Sequence, residues 1–327
     1  MQHKMLASWG IAAIAALSLP FTAHAEYPER AITLVAPYGA GGSADLAGRA
    51  LANAAVKYLD QPVQVVNRTG AGGVTGSAQV SRGKPDGYEL LVSRVGSNAV
   101  TPALDSTIPY KYDDFTFIGL IEENPYVFVV NADSPYKTLE DLVTAIKENP
   151  GTLTYSTSGP GTILNMGPQM LFKEIGLGSD AAIMIPHDGG GGARTALVGG
   201  HVDFLGINLA PVLNDIKSGA LRALSVSTQE RYSEIPDVPT ATEAGYPALH
   251  AVLGWTGLFG PPDLPQNVVD TWAETLQKIK NDEEWNNVTR RLGSVPRILP
   301  PDETTAFMAE QYEVYYTLGD LLDLRIE

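Results

Sequence analysis

Residues 31–59 read AITLVAPYGAGGSADLAGRALANAAVKYL, and the order of residue types in that stretch decides the fold. Residues 31–36 form an unbroken apolar run of strand length. Pro37-Tyr38-Gly39-Ala40-Gly41-Gly42-Ser43 ends it with a glycine-rich turn. Residues 45–59 continue with Leu46, Ala50 and Leu51 on one helical face, and Ser43 stands where a helix cap belongs. Strand, glycine turn and helix in that order make one unit of a parallel α/β sheet. The turn also aims bare backbone N–H groups, at the positive end of a helix, toward one point, and that geometry holds an anion without a basic side chain.

The unit recurs. Ser156-Thr157-Ser158-Gly159-Pro160-Gly161-Thr162 and Pro186-His187-Asp188-Gly189-Gly190-Gly191-Gly192 each follow a short apolar strand and precede a helix. A further glycine cluster at 70–76 leads into a short helix over 77–82. Strands are expected over 62–66, 88–92, 126–130, 152–155, 182–185, 204–207, 223–227 and 255–259. Thr138-Leu139-Glu140-Asp141 opens a helix with capping-box spacing. The α/β rhythm restarts after about residue 125, and two or three helices close the chain. Residues 26–124 with 254–327 therefore read as one lobe and 125–253 as a second, joined by crossing strands at 126–130 and 255–259. Ligands of open α/β sheets sit at the carboxyl ends of the strands, so the glycine turns of both lobes should surround one cleft.

Composition narrows the function. Residues 1–25 carry Lys4, a short apolar stretch over 11–19 and Ala23-His24-Ala25, the small-x-small pattern of a signal-peptidase site. That stretch is too short to span a bilayer comfortably. Cleavage after Ala25 and export to the periplasm are expected, with no later apolar stretch long enough to cross a membrane. The chain has no cysteine, which excludes disulfides, thiolate catalysis and Cys-ligated metals. The formal charge of −15 becomes more negative once Lys4 is removed, so nucleic acid is a poor partner. An acidic protein that binds an anion must do so through a local field, and backbone dipoles supply one.

Reactive constellations are sparse. Gly39-Ala40-Gly41-Gly42-Ser43-Ala44 fits the dinucleotide pattern, yet Asn67 stands where a ribose-binding acid belongs. There is no G-x-S-x-G elbow and no helical histidine pair of metal-ligand spacing. No cofactor and no metal are expected. An exported hydrolase using the hydroxyls of 156–162 is the alternative from another class, and a ligand-presenting sensor partner is a third. Arg94, in Ser93-Arg94-Val95-Gly96-Ser97-Asn98 after the third strand, can offer a planar fork to a carboxylate. If it faces the cleft, one ligand carboxylate sits on backbone amides and a second on Arg94, which points to a dicarboxylate. Tyr38 and Trp255 stand at expected cleft edges as walls for an apolar or aromatic ligand body, with hinge packing as the alternative for Trp255.

These pieces together resemble a known family, the extracytoplasmic solute-binding proteins of tripartite tricarboxylate transporters, called Bug or TctC-like. The resemblance covers the whole chain after residue 25. It is carried by Tyr27-Pro28, the turn at 37–45, Asn67-Arg68-Thr69-Gly70-Ala71-Gly72-Gly73, Pro85-Asp86-Gly87-Tyr88, the turn at 155–162, Gly199-Gly200-His201-Val202-Asp203, Ile235-Pro236-Asp237-Val238-Pro239-Thr240 and Gly254-Trp255-Thr256-Gly257-Leu258. It implies a two-lobed periplasmic-binding-protein fold of type II that closes like a flytrap on a small carboxylate. Each lobe would be a mainly parallel sheet flanked by helices. By position it places Tyr38, Gly41, Gly42, Ser43, Thr157, Ser158 and Thr162 in two pincers. The sequence departs from the family at His187 and Asp188, where relatives carry Tyr-Lys, at Asn165, where many have histidine, and at Arg94, where many have a small residue.

The expected ligand-binding set is Tyr38, Ala40, Gly41, Gly42, Ser43, Arg94, Ser97, Thr157, Ser158, Gly161, Thr162, His187, Asp188, Gly189, Asn208 and Trp255. The expected function is capture of an organic dicarboxylate, aromatic such as a phthalate isomer or aliphatic, by a monomer that delivers it to membrane permease subunits, without catalysis.

Overall fold

A computed structural model describes residues 27–326; the expected leader at 1–25 and its cleavage point after Ala25 lie outside the described residues. The chain starts with β1 (Ile32–Ala36), α1 (Ser43–Leu59), β2 (Val63–Asn67), α2 (Val74–Ser81), β3 (Glu89–Arg94), α3 (Thr101–Leu104) and β4 (Thr116–Asn124). A second set follows: β5 (Tyr126–Asn131), α4 (Leu139–Glu148), β6 (Thr154–Thr157), α5 (Ile163–Glu174), β7 (Ile183–Pro186), α6 (Gly190–Val198), β8 (Phe204–Asn208), α7 (Leu213–Ser218) and β9 (Leu221–Val226). The chain then adds β10 (Gly254–Gly260), α8 (Gln266–Lys280), α9 (Glu283–Arg291), β11 (Val295–Leu299) and α10 (Pro301–Leu322).

Two sheets result, in strand orders β11-β4-β10-β3-β1-β2 and β7-β6-β8-β5-β9. The strand–turn–helix units behave as their sequence requires: β1 is parallel to β2 and β3, and β6 is parallel to β7 and β8. The remaining pairings are antiparallel. β10 lies between β3 and β4, β11 adds to β4, and β5 lies between β8 and β9. The sheets are thus mixed, because the strands near each crossing enter from the opposite lobe and run against the local βαβ direction.

The first crossing is one extended run interrupted by a proline. β4 ends in the first sheet at Asn124, Pro125 intervenes, and β5 begins in the second sheet at Tyr126. Pro125 cannot donate to either ladder, but its carbonyl accepts from Leu209 N at 2.7 Å. β4 and β11 are absent from the strands expected above. Gly119, Glu122 and Glu123 break the apolar pattern of β4. β11 contains Pro296 and lies at the sheet edge, the place where a strand proline is tolerated.

Two apolar clusters support this frame. One packs Leu34, Leu51, Trp272 and Trp285 beneath the first sheet. The other runs from Tyr155, Phe172 and Phe204 in the second lobe to Tyr126, Trp255 and Phe259 at the crossings. No described helix is long and apolar enough to cross a membrane.

The capping box expected at Thr138 is formed. Thr138 Oγ1 accepts from Asp141 N at 3.1 Å, and Asp141 Oδ2 accepts from Thr138 N at 2.9 Å. Thr138→Ala should lower the unfolding free energy by about 1 kcal/mol, the usual contribution of such a cap. Urea denaturation followed by circular dichroism checks this, and an unchanged midpoint would show that the box contributes nothing.

Candidate functional site

The three glycine turns are the β1–α1, β6–α5 and β7–α6 connections, and they converge between the lobes. The N-cap residues of α1, α5 and α6 are Gly42, Thr162 and Gly189, and none of the three helices has a side-chain cap bond. The first N–H groups of a helix have no acceptor within it. At these three helices no side chain takes them up, and they carry the positive end of the helix dipole. Ser43 corrects the expectation that it caps α1: it is the first helical residue, makes no cap bond and lines the cavity.

Local bonds hold the turns in place. Asp45 Oδ2 accepts from Gly41 N at 3.0 Å and Asp45 Oδ1 accepts from Arg49 Nε at 3.0 Å. Burial works to raise the Asp45 pKa, but Arg49, the Gly41 amide and Asn67 outweigh it and leave the carboxyl below its usual range. Asn67 Nδ2 donates to the Tyr38 carbonyl at 2.8 Å, so the residue in the ribose-acid position is a brace for the turn. In the second lobe, Ser158 Oγ donates to Thr162 Oγ1 at 3.1 Å and Thr162 Oγ1 donates to the Gly159 carbonyl at 2.8 Å. Thr157 Oγ1 also donates to the Gly159 carbonyl, at 3.1 Å.

The lobes touch through backbone. Gly39 N donates to the Asp188 carbonyl at 3.2 Å, and Thr101 Oγ1 donates to the Gly161 carbonyl at 2.7 Å. A Cβ at Gly191 would overlap the Ala40 carbonyl oxygen, and one at Gly189 would lie 2.9 Å from Gly39 N. Only glycine lets the two turns approach so closely.

The contact encloses a cavity of about 30 Å³ lined by Tyr38, Ser43, Ala44, Arg94, Val95, Gly96, Ser158, Thr162, Ile163, Leu164, Gly190, Ile207 and Asn208. That volume holds roughly two waters, a space on the scale of a carboxylate group. Arg94 is 4% exposed, and its Nη2 donates to Asn208 Oδ1 across the lobes at 2.8 Å. Burial pushes the Arg94 pKa down to about 10, opposed by Glu122, and the side chain stays cationic at neutral pH. Burial also pushes Tyr38 up to about 12, so its phenol is neutral.

Of the expected set, Tyr38, Ser43, Arg94, Ser158, Thr162 and Asn208 line this cavity. Ala40, Gly42 and Gly189 form the glycine contact between lobes. Gly41 positions Asp45. Thr157 and Ser97 are fully buried behind the wall, where Ser97 Oγ donates to Asn98 Oδ1 at 2.8 Å. Gly161, His187 and Asp188 line a separate outer hollow of about 580 Å³ between the lobes. Trp255 requires a correction. It is 0% exposed, packs against Phe259 and Phe307, and donates from Nε1 to Gln311 Oε1 at 3.0 Å. It is a packing residue of the crossing and no wall of the cavity, because its indole faces α10. Val95, Gly96 and Ile207 line the cavity without belonging to the expected set, and so do Ala44, Ile163, Leu164 and Gly190. The last four contribute as the first residues after a glycine turn, and their side-chain types carry no signal.

Residues 47–313 match the family described as "Tripartite tricarboxylate transporter family receptor". The chain belongs to that receptor family. Protein BugT of Bordetella pertussis is 32% identical over 314 residues, spanning 95% of this chain and 94% of BugT. The structure of the periplasmic binding protein BugD superposes with a TM-score of 0.86 at 29% identity, covering 92% of this chain and 100% of BugD. MatC from Rhodopseudomonas palustris, solved with bound malate, gives a TM-score of 0.84 at 26% identity over 89% of this chain and 99% of its own. The receptor's relatives are two-lobed periplasmic solute-binding proteins and not enzymes, which sets aside the exported-hydrolase alternative.

In the receptor, Gly191→Ala tests the lobe contact. Gly191 lies in α6 with an ordinary helical backbone, so the Ala40 carbonyl of the other lobe is the main obstacle to the added methyl. The variant should keep its thermal midpoint while losing about tenfold or more in ligand affinity, because the ligand no longer stabilises a fully closed state. Wild-type affinity in calorimetry would show that this contact is not needed for binding.

Proposed function

We propose that this receptor captures a small organic carboxylate in the periplasm and hands it to the permease subunits of a tripartite tricarboxylate transporter. The observation that carries this reading is the convergence of three uncapped helix N-termini, from both lobes, on one small cavity. A carboxylate there accepts from backbone N–H groups of α1, α5 and α6 and from the Ser43 hydroxyl. Bonds of this kind to a charged group contribute about 1.5–3 kcal/mol each. Because the donors come from both lobes, the ligand binds the closed form better than the open one, and closure follows from that difference.

Arg94 and Asn208 supply a second polar end to the same cavity. A short aliphatic dicarboxylate would present one carboxylate to each end once the lobes part enough to admit its chain, and the relative MatC, with its bound malate, supports that class. The burial of Trp255 removes one of the two aromatic walls that favoured a phthalate isomer. Export with cleavage after Ala25 and action as a monomer complete the proposal.

A thermal-shift panel of succinate, malate, glutarate, citrate, phthalate isomers and acetate tests it. Succinate or malate should raise the midpoint, and calorimetry of Arg94→Gln should then show a loss for succinate at least about tenfold greater than for butyrate, which has no polar group at that end. A panel in which no carboxylate shifts the midpoint would overturn the reading.

A further inference from the structure

Arg94 is tied to a buried acid that does not line the cavity. Glu122 is 2% exposed on β4, and its Oε1 lies 3.9 Å from Arg94 Nη1. Two side chains bridge the pair. Arg94 Nη1 donates to Asn124 Oδ1 and to Thr256 Oγ1. Asn124 Nδ2 and Thr256 Oγ1 then each donate to Glu122 Oε1, both at 2.9 Å.

The direction of these bonds is forced. A guanidinium can only donate. Asn124 must therefore turn its oxygen to Arg94 and its NH₂ toward Glu122, and Thr256, having accepted from Arg94, has its own proton left for Glu122. Burial raises the Glu122 pKa, while the Asn124 bond, the Arg94 charge and the Thr256 bond oppose it and favour the ionised acid. Asn124 and Thr256 lie on the two strands beside the lobe crossings, and Asn124 Nδ2 also donates to Ser294 Oγ at 2.7 Å. Arg94 thus meets the cavity with its charge already shared, while its Nη2 holds Asn208 of the second lobe.

We propose that Glu122 is a specificity-determining positioning residue. Acting through Asn124 and Thr256, its carboxylate fixes the Arg94 fork and cancels part of its charge, so the Arg94 end accepts a neutral polar group (hydroxyl, amide or carbonyl) nearly as readily as a second carboxylate. This rests on the carboxylate reading above and deepens it. The class of ligand is a small acid with one obligatory carboxylate, held at the helix starts, and a second polar group whose charge matters little. A second carboxylate placed near Arg94 also faces Glu122, and a like charge brought into a buried site is penalised.

The test compares succinate with its half-amide succinamate by calorimetry. In the wild-type protein the two should bind within about tenfold of each other. Glu122→Gln keeps the size and hydrogen-bonding capacity of the side chain and removes the charge. It should raise the succinate-to-succinamate affinity ratio by about tenfold or more, whereas Glu122→Asp should leave the ratio near the wild-type value. A purely structural role would weaken both ligands alike and leave the ratio unmoved, and that result would overturn the proposal. Should Glu122→Gln fail to fold, R94Q compared with R94Q/E122Q measures the same charge without an unpaired buried cation, and a ratio that does not rise there also overturns it. If the wild-type protein binds neither probe, this inference fails, whereas the carboxylate reading fails only if the whole panel is silent.

Discussion

Helix ends left without side-chain caps are the constraint on which the rest of the structure depends. The chain caps two of its described helices with side chains, Thr138 closing a reciprocal box on α4 and Asp282 accepting from the amides of Glu284 and Trp285 on α9. At α1, α5 and α6 it does not. Each start without a side-chain cap bond forgoes the stability such a bond supplies. An acidic chain thereby gains three positive ends facing one cavity without spending basic side chains on it.

That arrangement requires two lobes whose backbones can nearly touch. Gly39 and Asp188 share a hydrogen bond across the gap, and Gly189 and Gly191 leave no room for a side chain on their side of it. At the glycine turns the interface is made of amides, carbonyls and hydroxyls. A contact of this kind is weak alone, and a ligand that bridges it gains leverage over the closed state. The frame behind it is stiff by comparison. Trp255, Tyr126 and Phe259 are fully buried at the crossings, so the lobes have a packed pivot rather than a loose linker.

Much of this was legible in the sequence. The strand–glycine–helix order at 31–59 predicts the β1–α1 unit, and its recurrence predicts the two other turns. The change of lobe near residue 125 follows from the restart of the rhythm, and the resemblance to a receptor family follows from motifs spread along the chain. Other features were hidden for physical reasons. β4 was obscured because a buried acid, Glu122, interrupts its apolar pattern, and only its partners Arg94, Asn124 and Thr256 explain why it is there. Trp255 could not be assigned to wall or core from its position, since a residue at a lobe crossing can face either way. Ala44, Ile163 and Leu164 line the cavity as the residues that follow a glycine turn, and no side-chain pattern marks such positions.

Hydrogen exchange followed by mass spectrometry, with and without a saturating dicarboxylate, tests the central claim most directly. Peptides covering Ser43–Ala44, Ile163–Leu164 and Gly190–Gly191 report on amides from both lobes. The account predicts that all three become protected together when ligand binds. Protection confined to one lobe, or absent from these helix starts while the ligand is bound, would contradict it.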